Sequence, residues 1–254
     1  MFTPISWLLA SLLFLALAAG GSRPAPPAHG MLVVANQREH TTLLIDPETR
    51  QELLKVTVGV NGHEVAVSPD SRFAYIPIYG NSGVGKPGTD GTTIDIVDLS
   101  EQKLAATIDL GKPLRPHRAE FGPDGLLYVT AELAKAVEVI DPATRKVIAE
   151  IPTGAIESHM IVISPDGRRA YTANVAAGSV SVLDLKRRAL VTVISVAKTV
   201  QRISISADGT RVFTHDQDSP RIAVIDTATN KVASWISLPA TVYSSSPTVD
   251  GKNC

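Results

Sequence analysis

The apolar positions of this chain fall in short runs. From Met31 onward, brief stretches rich in Val, Ile, Leu, Tyr and Thr alternate with clusters of Asp, Gly, Asn and Pro. No stretch spaces its apolar residues as a surface helix does, so the pattern predicts strands and tight turns. One unit shows the order. Met160 to Ser164 reads as a strand, Asp166-Gly167 as a turn, Arg169 to Asn174 as a returning strand, and Ser179 to Asp184 and Ala189 to Ser195 as two more. That is a four-stranded antiparallel meander.

The unit recurs. A Ser-Pro-Asp-Gly turn or a variant of it stands at Ser68-Pro69-Asp70-Ser71, Gly122-Pro123-Asp124-Gly125, Ser164-Pro165-Asp166-Gly167 and Ser206-Ala207-Asp208-Gly209, and more weakly at Thr248-Val249-Asp250-Gly251. Its aspartates lie 54 residues apart at the first interval and 42 at each later one. A second signature, an apolar alternation ending in Asp, gives Ile45-Asp46, Val97-Asp98, Ile140-Asp141, Leu183-Asp184 and Ile225-Asp226. Both aspartate sets read as structural, because Gly accepts positive φ and an Asp carboxylate accepts local backbone N–H bonds in a turn. A single such meander buries too little to stand alone, and radial packing of copies leaves only short edges. The fold class is therefore all-β, a β-propeller of four-stranded antiparallel blades.

Tyr128-Val129-Thr130-Ala131, Tyr171-Thr172-Ala173-Asn174, the Ser-Pro-Asp-Gly turns and Ile140-Asp141-Pro142-Ala143-Thr144 together resemble the YVTN-type propeller repeat family. The resemblance implies an extracytoplasmic, surface-layer-like propeller, more distantly similar to lactonase-type propellers, and it bears on fold more than on function. Two blade counts stay open. Leu32 to Asn36 aligns with a second strand and Tyr243 to Val249 with an innermost one, so strands from both termini can complete one blade and close five. Alternatively, because Ser245 and Pro247 weaken that last strand and the resembling family more usually has seven blades, the chain is a truncated piece of a seven-bladed ring.

Composition narrows the partners. The 254 residues are 44% hydrophobic and 19% charged, with a net charge of -1, and the densest basic runs are Arg168-Arg169 and Lys186-Arg187-Arg188. No nucleic-acid partner is expected from so little clustered charge. Ile5 to Ala19 is uncharged, apolar and ends in small residues, which reads as a signal peptide over residues 1–19; since no Lys or Arg precedes it, an uncleaved N-terminal anchor is the alternative. A Pro- and Gly-rich spacer over 20–30 and the propeller domain over 31–254 follow. The expected location is secreted or periplasmic, with no membrane span once the signal is cleaved. Cys254 is the only cysteine, so an intrachain disulfide is excluded.

The candidate chemistry stands in one column. Seven residues before each turn Asp sit His63, His117, His159, Gln201 and Tyr243, at the start of each innermost strand. Glu64, Arg118 and Arg202 follow it, and Arg115 and Glu157 precede it; Asn36, Glu132, Asn174, Asp216 and Asp218 stand where second strands end. Alternating strand directions bring these loops to one face, so His63, His117, His159, Gln201, Glu64, Arg118 and Arg202 form the candidate ligand site. Imidazoles at equivalent places suit a divalent metal, with His63, His117 and His159 as its ligands; the simpler reading is architectural, and no cofactor is assigned. An insertion from Gly80 to Gly91 reads as a mobile loop over that face. Its Gly80-x4-Gly85-Lys86 mimics a phosphate loop, but Pro87 stands where Ser or Thr is needed and no helix follows. No nucleophile elbow, His-Glu-x-x-His or Cys-based metal motif is present, and no catalytic residue is assigned. The expected role is a binding module for an unidentified protein or small molecule; the alternative is a lactonase or metal-dependent enzyme at the same face.

Overall fold

The computed structural model describes residues 30–83 and 86–248; the expected signal segment, nearly all of the spacer and Cys254 lie outside them. Among the described residues every regular element is a strand. Sheet 1 holds β1 (Leu32–Asn36), β2 (Thr41–Ile45) and β3 (Glu52–Thr57). Sheet 2 holds β4 (Ala66–Val67), β5 (Phe73–Gly80), β6 (Asp90–Asp98) and β7 (Lys103–Asp109). Sheet 3 is β8 (Pro116–Phe121), β9 (Leu127–Ala131), β10 (Ala136–Asp141) and β11 (Lys146–Pro152). Sheet 4 is β12 (Ser158–Ile163), β13 (Arg169–Asn174), β14 (Ser179–Asp184) and β15 (Ala189–Ser195). Sheet 5 is β16 (Val200–Ile205), β17 (Arg211–Asp216), β18 (Arg221–Asp226) and β19 (Lys231–Ser237).

Each sheet is an antiparallel meander in sequence order, four of four strands and the first of three. In sheet 4 the last three strands have the bounds read from the sequence, and the innermost begins two residues earlier. The turn aspartates act as expected. Asp166 Oδ1 accepts from Ser164 Oγ at 2.7 Å and from Arg168 N at 3.0 Å, and Asp208 does the same with Ser206 and Thr210. Gly167 has φ 67°, a conformation that favours glycine, and lies against Pro123 of the preceding sheet's turn.

Four apolar cores join the five sheets. One links sheets 1 and 2 through Leu44, Val56, Ile76 and Val97, and a second links sheets 2 and 3 through Ile94, Ile96, Leu127 and Val129. A third joins sheets 3 and 4 through Val137, Val139, Ile161 and Leu183, and a fourth joins sheets 4 and 5 through Tyr171, Val180, Ile203 and Ile225. Among the described residues no core cluster joins sheet 5 to sheet 1. That is the seam of the ring.

The expected terminal clasp is corrected here in one respect. Past Ser237 the tail carries no strand as far as Thr248, so the first sheet keeps three strands. Ser245 and Pro247 give that tail little apolar surface, and Pro247 has no backbone donor. Near the axis a polar contact reaches past the three-stranded sheet 1: Glu64, just before β4 of sheet 2, pairs with Arg202 of β16 in sheet 5 at 2.6 Å across 138 residues of sequence.

Candidate functional site

The column begins with a backbone device. Two residues before each histidine, Asn61, Arg115 and Glu157 adopt positive φ of 60°, 53° and 54°. Non-glycine residues enter this left-handed region uncommonly, and here they turn each chain sharply into its innermost strand. The pairing then slips. Pro116 faces Ala131 while Ala119 faces Val129, and Ser158 faces Asn174 while Met160 faces Ala173. The same slip lies between Val200 and Ile203. His117, His159 and Gln201 therefore sit on β-bulges, which bend a strand and re-aim its side chains.

The re-aimed side chains converge. His63, His117, His159, Gln201 and Tyr243 all line one cavity of about 320 Å³, together with Glu64 and Arg202. The rings of His63 and His117 have centroids 4.7 Å apart, and those of His117 and His159 3.5 Å. His63 also stacks on Tyr79 at 4.7 Å. The imidazoles thus pack ring against ring, and among the described residues no group of three or more His, Cys, Asp or Glu is arranged to hold a metal ion. The divalent-metal alternative for His63, His117 and His159 gains no support from this packing.

The protons have fixed places. Glu132, with its side chain fully buried, accepts from Tyr79 Oη at 2.7 Å and from His159 Nδ1 at 2.5 Å. Gln201 Nε2 lies 3.1 Å from His159 Nε2, so that nitrogen accepts and both ring positions are filled. Burial pushes the Tyr79 hydroxyl well above its ordinary range, with the Glu132 charge adding to the effect. Burial holds His63 below its ordinary value, and it holds His117 well below, with His159 and His63 adding to the shift. Both rings are therefore neutral near pH 7. His117 Nδ1 has no partner within the protein.

Beneath the column, charge closes on itself. Glu64 takes Arg202 at 2.6 Å and Arg118 at 3.4 Å, and Arg118 also reaches Glu120 at 3.1 Å. Burial alone would raise the Glu64 carboxyl, but the Arg202 charge and hydrogen bond and the Arg118 charge outweigh it and hold Glu64 below its ordinary value. Arg202 also lies 4.9 Å under the Tyr243 ring. The tail thus supplies the fifth column residue without forming a strand.

The described ends of the insertion are tied at this mouth, while Val84 and Gly85 between them lie outside the described residues. Ser82 Oγ donates to Asp90 Oδ1 at 2.7 Å, and Arg115 donates to the same oxygen through Nε and Nη2 at 3.0 and 2.8 Å. Arg115 Nη1 adds a bond to the Gly83 carbonyl at 3.2 Å. Its glycines serve close approach, since a Cβ on Gly91 would lie 1.6 Å from the Ile78 carbonyl oxygen. Ser82 and Gly83 are brought to the cavity wall.

Reading the sequence alone misses Tyr79, Gln37 and the central part of Glu132. The one signal for Glu132 is its repeat position, where the other second strands end in Asn36, Gly80, Asn174 and Asp216. Asn174 instead ties Ser158, Ser179 and Ser181 inside sheet 4, and Asp216 holds Arg221. A larger cleft of about 770 Å³ opens on the opposite face between sheets 4 and 5. It is lined by turn residues such as Asp166 and Asp208, whose carboxylates hold their own turns, so size does not mark it as the site.

No family model matches the chain, and no curated protein matches its sequence. The structure is similar to that of Kuenenia stuttgartiensis hydrazine synthase, with a TM-score of 0.60 at 16% identity over 87% of this chain and 87% of that one. So low an identity speaks to the fold and leaves the site to be argued from its own residues. The chain is a β-propeller.

Proposed function

We propose that this protein is an extracytoplasmic binding module that takes a small ligand at the mouth of its channel. The observation that carries the reading is the convergence of His63, His117, His159, Gln201 and Tyr243 on one cavity. A concave site with a few placed polar groups is the usual form of a small-molecule site. Export rests on the apolar segment before residue 20 and on the likeness of the repeat to YVTN-type propellers. Binding is favoured over hydrolysis because Glu64 and His159, two groups suited to general acid or base work, are already engaged. Both oxygens of Glu64 face arginines, and both ring nitrogens of His159 are held. A thermal-shift screen of small polar compounds on the wild type and on His63→Ala tests this. Ligands that raise Tm in the wild type and lose the effect in the variant support the site. A screen without such ligands, or shifts that persist in His63→Ala, would refute it.

A further inference from the structure

The ligand class follows from the charge and hydrogen-bonding character of the mouth, and the step rests on the mouth being a binding site. The ionic groups there are compensated. Arg202 and Arg118 bracket Glu64, and Arg115 lies between Asp90 and Glu132, with Nη1 3.7 Å from Glu132. His63 and His117 add no positive charge near pH 7, since burial holds both below their ordinary values. An anion entering the cavity would have to draw Arg202 from a carboxylate 2.6 Å away, and a cation would have to draw Glu64 from two arginines. Breaking a half-buried pair for a ligand of like charge gains little, because the displaced partner is left uncompensated.

What the mouth offers instead is neutral hydrogen bonding. Gln37, Gln201 and Asn61 spend an amide N–H on His63, His159 and the Gly80 carbonyl and turn the remaining amide groups to a ligand. Ser82, which donates to Asp90, can still accept, and Tyr243 brings a hydroxyl. His117 also lines the cavity while only 2% exposed, and burial keeps its ring uncharged. Hydroxyls both donate and accept, so adjacent ones match a wall that mixes amides, an ion pair and the uncharged rings of His63 and His117. The volume of about 320 Å³ lies at the small end of the range for ligand pockets, which suits one ring and excludes a long chain. We infer that the mouth binds an uncharged polyhydroxylated molecule of single-ring size, a neutral monosaccharide or cyclic polyol.

Isothermal titration calorimetry of the mature protein separates the outcomes. The probes are D-glucose, D-galactose, D-mannose and myo-inositol, with succinate and citrate in parallel, each at low and at physiological salt. At least one neutral probe should bind, with an affinity that salt changes by less than about twofold, because no net charge is exchanged. Gln37→Ala removes an amide on an exposed loop and should weaken that binding by about tenfold, the effect of losing one well-made hydrogen bond. Carboxylates that bind with strong salt dependence while the neutral probes do not would overturn the ligand class and leave the mouth as a binding site. If neither set binds a folded wild type, both readings fail.

Discussion

Strands β9 and β1 occupy the same place in their repeats, yet all five residues of β9 are buried and none of β1 is. The sequences do not explain it. Val33 and Val34 are as apolar as Val129, and Leu32 is 52% exposed where Leu127 is fully buried. The difference lies in neighbours. β9 is flanked by β8 and β10 and packs into cores shared with sheets 2 and 4, whereas β1 pairs only with β2 and meets an apolar core on one side. Burial in a propeller is conferred by the adjoining blades, and the seam is where one adjoining surface is missing. Polar contacts at the axis take the place of a core there.

The largest effect is expected on the packed side. Ile161 is fully buried between sheets 3 and 4, and Ile161→Ala should cost about 2–4 kcal/mol by removing methylenes and leaving a cavity. Chemical denaturation reads this directly. Leu32→Ala at the seam, by contrast, should change stability by less than about 0.5 kcal/mol, and equal losses at the two positions would dissolve the contrast.

The packed side also carries one weak point. Glu138, 3% exposed on β10, faces Glu150 across the ladder, and its Oε1 has no partner. Burial first, and then the Glu150 charge, raise its carboxyl from 4.5 to about 7. A carboxyl raised in the folded state gives stability that is complete below pH 4.5 and is lost as the pH climbs through about 7. Glu138→Gln should therefore stabilise the protein by about 1–2 kcal/mol above pH 7 and change little at pH 4. A Tm difference between variant and wild type that does not vary from pH 4 to pH 8 would remove this account.

A smaller effect with the opposite sign belongs to the seam. Glu64 is held below its ordinary carboxyl value, so its contribution is present above pH 4.5 and is lost as the pH falls below it. Glu64→Gln should cost about 1 kcal/mol at pH 7, a modest figure because the pair keeps partial contact with water, and the cost should fade in acid. Amide hydrogen exchange in β4 and β16 should quicken in this variant while that in β9 stays unchanged. Protection lost equally in all three strands would mean that Glu64 supports the whole ring and has no special place at the seam.

Much of the fold is legible along the chain because local chemistry repeats. The bounds of β13, β14 and β15 follow from alternation and turn residues, since each turn closes through contacts within a few residues of itself. The column is legible for the same reason, as equal spacing from a repeated turn puts its members at equal depth. The anchoring of the insertion's ends is not legible in the same way, because Asp90 and Arg115 lie 25 residues apart and meet only through the fold. Tyr79, and the bond that makes Glu132 central, are hidden in the sequence for a similar reason. Nothing near either residue announces a hydrogen bond across 53 positions.

The sequence by itself determined the strands, their turns, the four-stranded repeat and the alignment of five residues into one column, because all of these depend on local geometry and fixed spacing. Only the tertiary structure decided that the described tail would form no strand, that Glu64 would reach Arg202 and that the imidazoles would pack ring against ring. These outcomes depend on burial and on distances between residues from different blades. Identical local signals leave both quantities open until the ring is assembled.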